Sequence, residues 1–175
     1  MSKGSSRQFQ STVAPWERPS TSDRPQQRSS RPCEPQHSSR VVVASPSYIV
    51  FVKKLKFGPK AFWSLPGGRR EPGESSALQT AYRETAEEIR LRLGKRHALC
   101  IWEAARSSPR AIEDLVLFWL SDELIQTVPT EGDENGDPLA VKLFRRDELA
   151  NVSNFNANHV ELLTTALEHL EREGL

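Results

Sequence analysis

Cysteine is scarce in this chain: two residues, Cys33 and Cys100, in a sequence of 175. That excludes a disulfide framework and favours a reducing compartment. A cytoplasmic location is the expectation, with mitochondrial and nuclear addresses left open. No apolar run approaches the roughly 20 residues of a membrane-spanning helix, so no membrane partner is expected. No His/Cys cluster has zinc-ligand spacing. The sequence has no Walker A pattern and no G-x-G-x-x-G after a strand, which removes two common phosphate-binding devices. Ten of the 19 serines lie in the first 40 residues, and no nucleophilic triad suggests itself. There is no internal repeat.

Charge is nearly balanced, at +1 overall, but unevenly placed. Residues 1–40 carry seven Lys/Arg against three Asp/Glu, and the remainder 17 against 20. A mildly acidic body with a basic tail is not the profile of a dedicated nucleic-acid binder. The tail arginines could still attract RNA or another polyanion weakly.

Residues 1–40, rich in Ser, Arg, Gln and Pro, read as a disordered tail, and residues 41–175 as one domain. Removal of 1–40 is expected to leave folding nearly unchanged. Val41–Val43 and Tyr48–Val52 read as strands joined by Ser45-Pro46-Ser47. Trp63, just ahead of the glycines, reads as a packing residue. His97–Ala104 reads as a strand, and the apolar run Asp114–Leu120 as a central strand buried on both faces. Trp102 and Trp119 read as core residues. The polar stretch Glu131–Pro138 reads as a loop. Val141–Phe144 reads as a short strand, followed by a last helix from about Ala157 to Glu171. Its apolar stripe is Val160, Leu163, Leu167 and Leu170. His159 and His169 are expected at the surface.

The chemistry concentrates between Leu65 and Leu91, LPGGRREPGESSALQTAYRETAEEIRL. Ser76, with Gln79 three residues on, forms a capping box that starts a helix. Glu84, Glu87 and Glu88 then share one helix face. An acidic face is ordinarily just solvated. Paired glycines upstream, whose backbone can approach a cation closely, change that reading. Carboxylates on a rigid helix with a glycine carbonyl form a hard-oxygen site suited to Mg²⁺ or Mn²⁺.

The segment resembles the box of the Nudix hydrolase family, G-x5-E-x7-R-E-U-x-E-E-x-G-U, where U is aliphatic. Gly68, Glu74, Arg83, Glu84, Glu87, Glu88 and Leu91 take its positions. There are three departures. Eight residues rather than seven separate Glu74 from Arg83, Thr85 replaces an aliphatic residue, and Arg90 replaces the second glycine. Counting from the cap places the extra residue at Ser75, so Glu74 is expected to be displaced and the helical glutamates to keep their register. The longer spacing also resembles the coenzyme A diphosphatase branch, although that branch's additional upstream motif is not visible. Without the glycine at 90, the helix is expected to run on or to end through a different turn.

The resemblance spans about residues 41–171. It implies an α/β/α sandwich with a mixed sheet, and Mg²⁺-dependent hydrolysis of a nucleoside diphosphate linked to another group. The partner would be a small nucleotide substrate, and a homodimer is open because many family members form one. By match to the motif, Glu87 and Glu88 are the main metal ligands and Glu84 a third. The carbonyl of Gly67 or of Gly68, the box glycine, would join them. Arg83 would orient a box glutamate. Glu84 and Glu134 are candidates for the general base, Glu134 chosen from the acids of the 131–137 stretch. Arg69, Arg70 and Lys54, with Lys53 and Lys56, are candidates for phosphate contact. A binding module of the same fold with little turnover is the alternative function.

Overall fold

The structure, a computed structural model, describes residues 35–108, 111–134 and 136–175, with the side chains of 103–108 and 134 left out. The expected disordered tail falls, up to residue 34, outside the described residues. The chain from Gln36 onward forms one mixed sheet. Its strands are β1 (Gln36–Ala44), β2 (Tyr48–Lys54), β3 (Trp63–Ser64), β4 (Gly67–Arg69), β5 (Ala98–Ser108), β6 (Ala111–Trp119), β7 (Glu131–Glu134) and β8 (Asp137–Arg145). Among the described residues three α-helices accompany them: α1 (Ala77–Glu88), the short α2 (Asp122–Ile125) and α3 (Val160–Arg172). The main order is β5-β6-β1-β2-β8-β7, with β4 paired to β1 and β3 to β2.

β1 is the axis of this arrangement. It runs parallel to β6, from Gln36↔Ala111 to Ala44↔Trp119, and antiparallel to β2 and β4. Side chains alternate across a strand. Val41 and Val43 therefore enter one core, with Val116, Phe118 and Ala81 of α1. Val42 and Ala44 enter the other, with Leu115, Leu117 and Leu162, Ala166 and Leu170 of α3. Burial on both faces explains the unbroken β-branched run, and gives the layered α/β/α architecture expected from the sequence.

Several local expectations change. β1 begins at Gln36, so Gln36–Arg40 belong to the sheet and not to a tail. Residues 131–138 are not a loop: β7 and β8 pair there from Glu131↔Ala140 to Glu134↔Asp137. β7 is polar because it is the sheet's edge. Its Gly132 lies against α1, where a Cβ would meet the Glu88 carbonyl oxygen at 1.7 Å. The buried stripe of α3 is Leu162, Ala166 and Leu170, with Leu163 and Leu167 beside it, while Val160 is exposed. Trp63, Trp102 and Trp119 all pack at the margin of the second core, as expected.

His159 is also not at the surface. It is 4% exposed, and its Nδ1 accepts the Leu65 N–H at 3.1 Å. This bond fastens the start of α3 to the turn that precedes the glycines. Burial, and then the nearby charges of Arg40 and Lys54, lower its pKa to about 3, so the imidazole is neutral.

Candidate active site

α1 starts as its sequence requires. The Ser76 hydroxyl accepts the Gln79 N–H at 3.3 Å. The reciprocal bond goes one residue further back: the side-chain Oε1 of Gln79 accepts from the Ser75 N–H at 2.6 Å. The additional residue is thus held by the cap. At the other end, helical geometry stops at Glu88. Arg90 takes φ 54°, the left-handed conformation that glycine adopts without cost, and the Leu91 N–H closes on the Thr85 carbonyl at 3.0 Å. The helix ends where a glycine would have ended it. Thr85, fully buried in an aliphatic position, satisfies its hydroxyl by donating to the Tyr82 carbonyl at 3.1 Å.

The fixed register makes Arg83 the hub of the site. Its Nε donates to Glu74 at 2.9 Å, Nη1 to Glu84 at 2.7 Å and to Glu87 at 3.0 Å, and Nη2 to the Arg69 carbonyl at 2.8 Å. Glu71 stands 3.7 Å from Nε. Glu74 is therefore not displaced. It also accepts from the Thr80 hydroxyl and the Glu71 N–H. Burial would raise the Glu74 pKa, but these hydrogen bonds, led by that of Arg83, outweigh it and hold the carboxyl below its usual value.

The glycines approach this helix closely. Gly67 has φ 133°, and a Cβ there would meet the Ser39 carbonyl oxygen at 2.1 Å. A Cβ on Gly68 would meet Glu84 Oε1 at 2.2 Å. The β1–β4 ladder decides which glycine carbonyl faces the acids. The Val41 N–H bonds the Pro66 carbonyl and the Arg70 N–H the His37 carbonyl. Antiparallel alternation makes Ser39↔Gly68 the next facing pair and turns both polar groups of Gly67 away from β1. The Gly67 N–H accordingly reaches Glu88 Oε2 at 2.7 Å. Of the two carbonyls the sequence offered, that of Gly67 points away from β1 and accepts from Arg40 Nη1, whereas that of the box glycine Gly68 belongs to the ladder.

Glu84 and Glu88 are 4% and 1% exposed, whereas Glu87 is open to solvent. Among the described residues no three acidic, histidine or cysteine side chains converge as a ready metal site. Arg83 Nη1 stands between Glu84 and Glu87 instead. The donor set still fits a hard divalent cation. It consists of carboxylate and carbonyl oxygens, and one guanidinium is shared among four glutamates.

A cleft of about 290 Å³ opens over Gly68, Arg83 and Glu84, with Arg40, Lys54 and Arg69 on its walls. Lys54 and Arg69, two of the candidates for phosphate contact, thus line this cleft. Arg70 does not line it and pairs with Asp114 of β6 at 3.0 Å. The backbone of Glu134 pairs with Asp137 in β7, and its side chain lies outside the described residues. A larger hollow, of about 470 Å³ between Ser47, Arg145 and Glu171, shares no residue with the acidic cleft.

Arg40 was missed from sequence. Its Nε bonds Glu113 of β6 at 2.6 Å and its Nη1 the Gly67 carbonyl at 2.9 Å. The one signal for it was position: a single cation directly before the β-branched run of β1.

The model of the NUDIX domain family matches residues 35–165. No curated protein matches the chain by sequence. Among solved structures, a mutT/nudix family protein from Listeria innocua superposes with a TM-score of 0.59 at 18% identity, over 80% of this chain and 96% of that one. A MutT structure from work on Aliivibrio salmonicida and Vibrio cholerae gives 0.55 at 20%, over 78% and 99%. The bifunctional NMN adenylyltransferase/ADP ribose pyrophosphatase from Francisella tularensis, complexed with AMP and a Mn ion, gives 0.59 at 21%, over 77% of this chain but 42% of that one. At these identities the superpositions speak for the fold. The family match covers most of the chain and includes the segment from Gly68 to Leu91, and on that ground the chain belongs to the Nudix hydrolases, enzymes that act on acid anhydrides in phosphorus-containing compounds.

Proposed function

We propose that the chain is a Mg²⁺-dependent pyrophosphohydrolase whose substrate is a nucleoside diphosphate linked to another moiety: a nucleotide, nucleotide sugar, dinucleotide or coenzyme A-type compound. The observation that carries this reading is the composition of one cleft, in which the buried carboxylate of Glu84 and the exposed one of Glu71 face Arg40, Lys54 and Arg69. A pyrophosphate with its metal ion needs that juxtaposition of charges. A bound Mn ion and AMP in the Francisella relative are consistent with it.

Glu87 and Glu88, with Glu84 and the Gly67 carbonyl, would hold the ion. When bound, Mg²⁺ or Mn²⁺ supplies charge neutralisation at phosphorus and a lowered pKa for the attacking water. The chain's own groups do the rest. Lys54 and Arg69 take the phosphate oxygens. Arg83, tied at Glu74 and at the Arg69 carbonyl, keeps Glu84 and Glu87 in place. Glu84 or Glu134 receives the proton of the attacking water.

One observation favours the second reading, a nucleotide-binding module with little turnover: Arg83 Nη1 already bridges Glu84 and Glu87. Mg²⁺-dependent hydrolysis across ADP-ribose, NADH, coenzyme A, diadenosine polyphosphates and canonical and oxidised nucleoside triphosphates separates the two. Turnover of at least one compound, abolished by chelator, is expected. Glu87→Gln and Glu88→Gln should each lower kcat by more than about 100-fold, the upper end of what a supporting residue costs. Activity surviving both substitutions would overturn the site; nucleotide binding without turnover would favour the module.

A further inference from the structure

We infer that Arg40 is an internal competitor for the catalytic cation: its guanidinium occupies the Gly67 carbonyl in the metal-free chain and gives it up when the ion binds. The inference rests on the metal-dependent reading above. Three observations carry it. First, the ladder turns both polar groups of Gly67 away from β1, and Glu88 of α1 takes its N–H. Second, Arg40 Nη1 is the group on that carbonyl, at 2.9 Å. Third, Arg40 has a separate anchor. Its Nε bonds Glu113 on the neighbouring strand at 2.6 Å, with the pair only partly exposed. The guanidinium can therefore leave Gly67 without leaving the cleft wall.

A guanidinium and a divalent cation cannot share one carbonyl oxygen without strong repulsion. Arg83 poses the same problem between Glu84 and Glu87, but it keeps bonds to Glu74 and to the Arg69 carbonyl. In the metal-free chain both arginines donate to oxygens of this cleft, Arg40 to the Gly67 carbonyl and Arg83 to Glu84 and Glu87. Metal entry then turns the Nη end of Arg40 into the cleft. Binding of the ion and exposure of an anion-binding group become one event.

The sign of a mutational effect tests this. Free Mn²⁺ would be followed by electron paramagnetic resonance during titration of the full chain without nucleotide. The decisive variant is the double substitution Arg40→Met with Glu113→Leu. It is charge-neutral and replaces an ion pair by apolar residues, which folds commonly tolerate. Competition predicts tighter Mn²⁺ binding, by about tenfold, as expected when one charge-assisted hydrogen bond no longer opposes the ion. Arg40→Met alone should tighten it at least as much. A supporting role for Arg40 would instead weaken binding, and a purely Coulombic one would leave the neutral double variant unchanged. Either result overturns the inference.

A second readout needs no variant. In the wild-type chain, Mg²⁺ should shift the guanidinium ¹⁵N resonance of Arg40 and leave that of Arg145, which is paired with Asp147 outside the cleft, in place. An Arg40 resonance that does not move also overturns the inference. Failure of the wild-type chain to bind Mn²⁺ at all would overturn the metal-dependent function itself, a different outcome from equal binding by wild type and variant.

Discussion

Protonating His159 would place a charge where only 4% of the residue is exposed and where Arg40 and Lys54 already act. Its folded pKa, about 3, lies below the ordinary 6.5. The unfolded chain therefore binds a proton below about pH 6.5 that the folded chain refuses until about pH 3. Stability falls as pH drops through that window. Between pH 7 and 5 this single group should remove about 2 kcal/mol. His159→Asn, whose side-chain oxygen can still accept the Leu65 N–H, should lack that component. Urea unfolding of both proteins at the two pH values measures it, and equal losses would show that His159 is not the group. Sequence could not reveal this histidine, because its partner lies 94 residues away. The glutamates on α1 were legible for the opposite reason: their relation is local, set by a helical period. Arg40 resembles His159. It adjoins a low-complexity stretch, and its two partners are 27 and 73 residues distant.

At the scale of elements, the ends of α1 show how a family pattern can change while its geometry persists. The extra residue at Ser75 is absorbed by the cap, and Glu74 still reaches Arg83. Arg90 keeps the conformation of the glycine it replaces, at a cost of about 1–2 kcal/mol for a residue with a Cβ. Glycine would remove that cost and regain part of it as entropy in the unfolded chain. We expect Arg90→Gly to stabilise the protein by about 0.5–1 kcal/mol net, seen as a higher urea midpoint at constant m. A lower midpoint would mean that the arginine side chain makes a stabilising contact of its own. Apolar periodicity gave away the strands of the core and the position of α3. It failed for β7, where an edge strand needs few apolar residues and where Gly132 serves close packing against Glu88. Along α3 it found Leu163, Leu167 and Leu170, passed over Leu162 and Ala166, and failed at Val160, the exposed first residue of the helix.

For the molecule as a whole, the boundary of the domain matters more than its composition suggests. Gln36–Arg40 pair with both β6 and β4 in the interior of the sheet, and Ser39 within them is fully buried. Removing residues 1–34 leaves every described strand intact. Removing 1–40 strips the first half of β1 and the Arg40–Glu113 pair. The longer truncation should cost about 3 kcal/mol or more relative to the shorter, roughly 10 °C in Tm. Equal melting temperatures would show that this half-strand contributes nothing. Composition could not find the boundary, since Gln36-His37-Ser38-Ser39-Arg40 has the same polar character as the residues before it. Only their register against β6 makes them part of the sheet.

The parallel pairing of β1 with β6 has a kinetic consequence. Each facing pair, from Gln36↔Ala111 to Ala44↔Trp119, joins positions 75 apart in number. The β5–β6 hairpin and α1 are local units that need no such closure, whereas β1 must wait for one, and long-range pairings of this kind slow folding. The carboxylates of α1 can take up their helical spacing early. The glycines of β4 and the guanidinium of Arg40 meet them only when β1 enters the sheet. A nascent chain therefore carries its acidic helix well before β1 brings Arg40 to it.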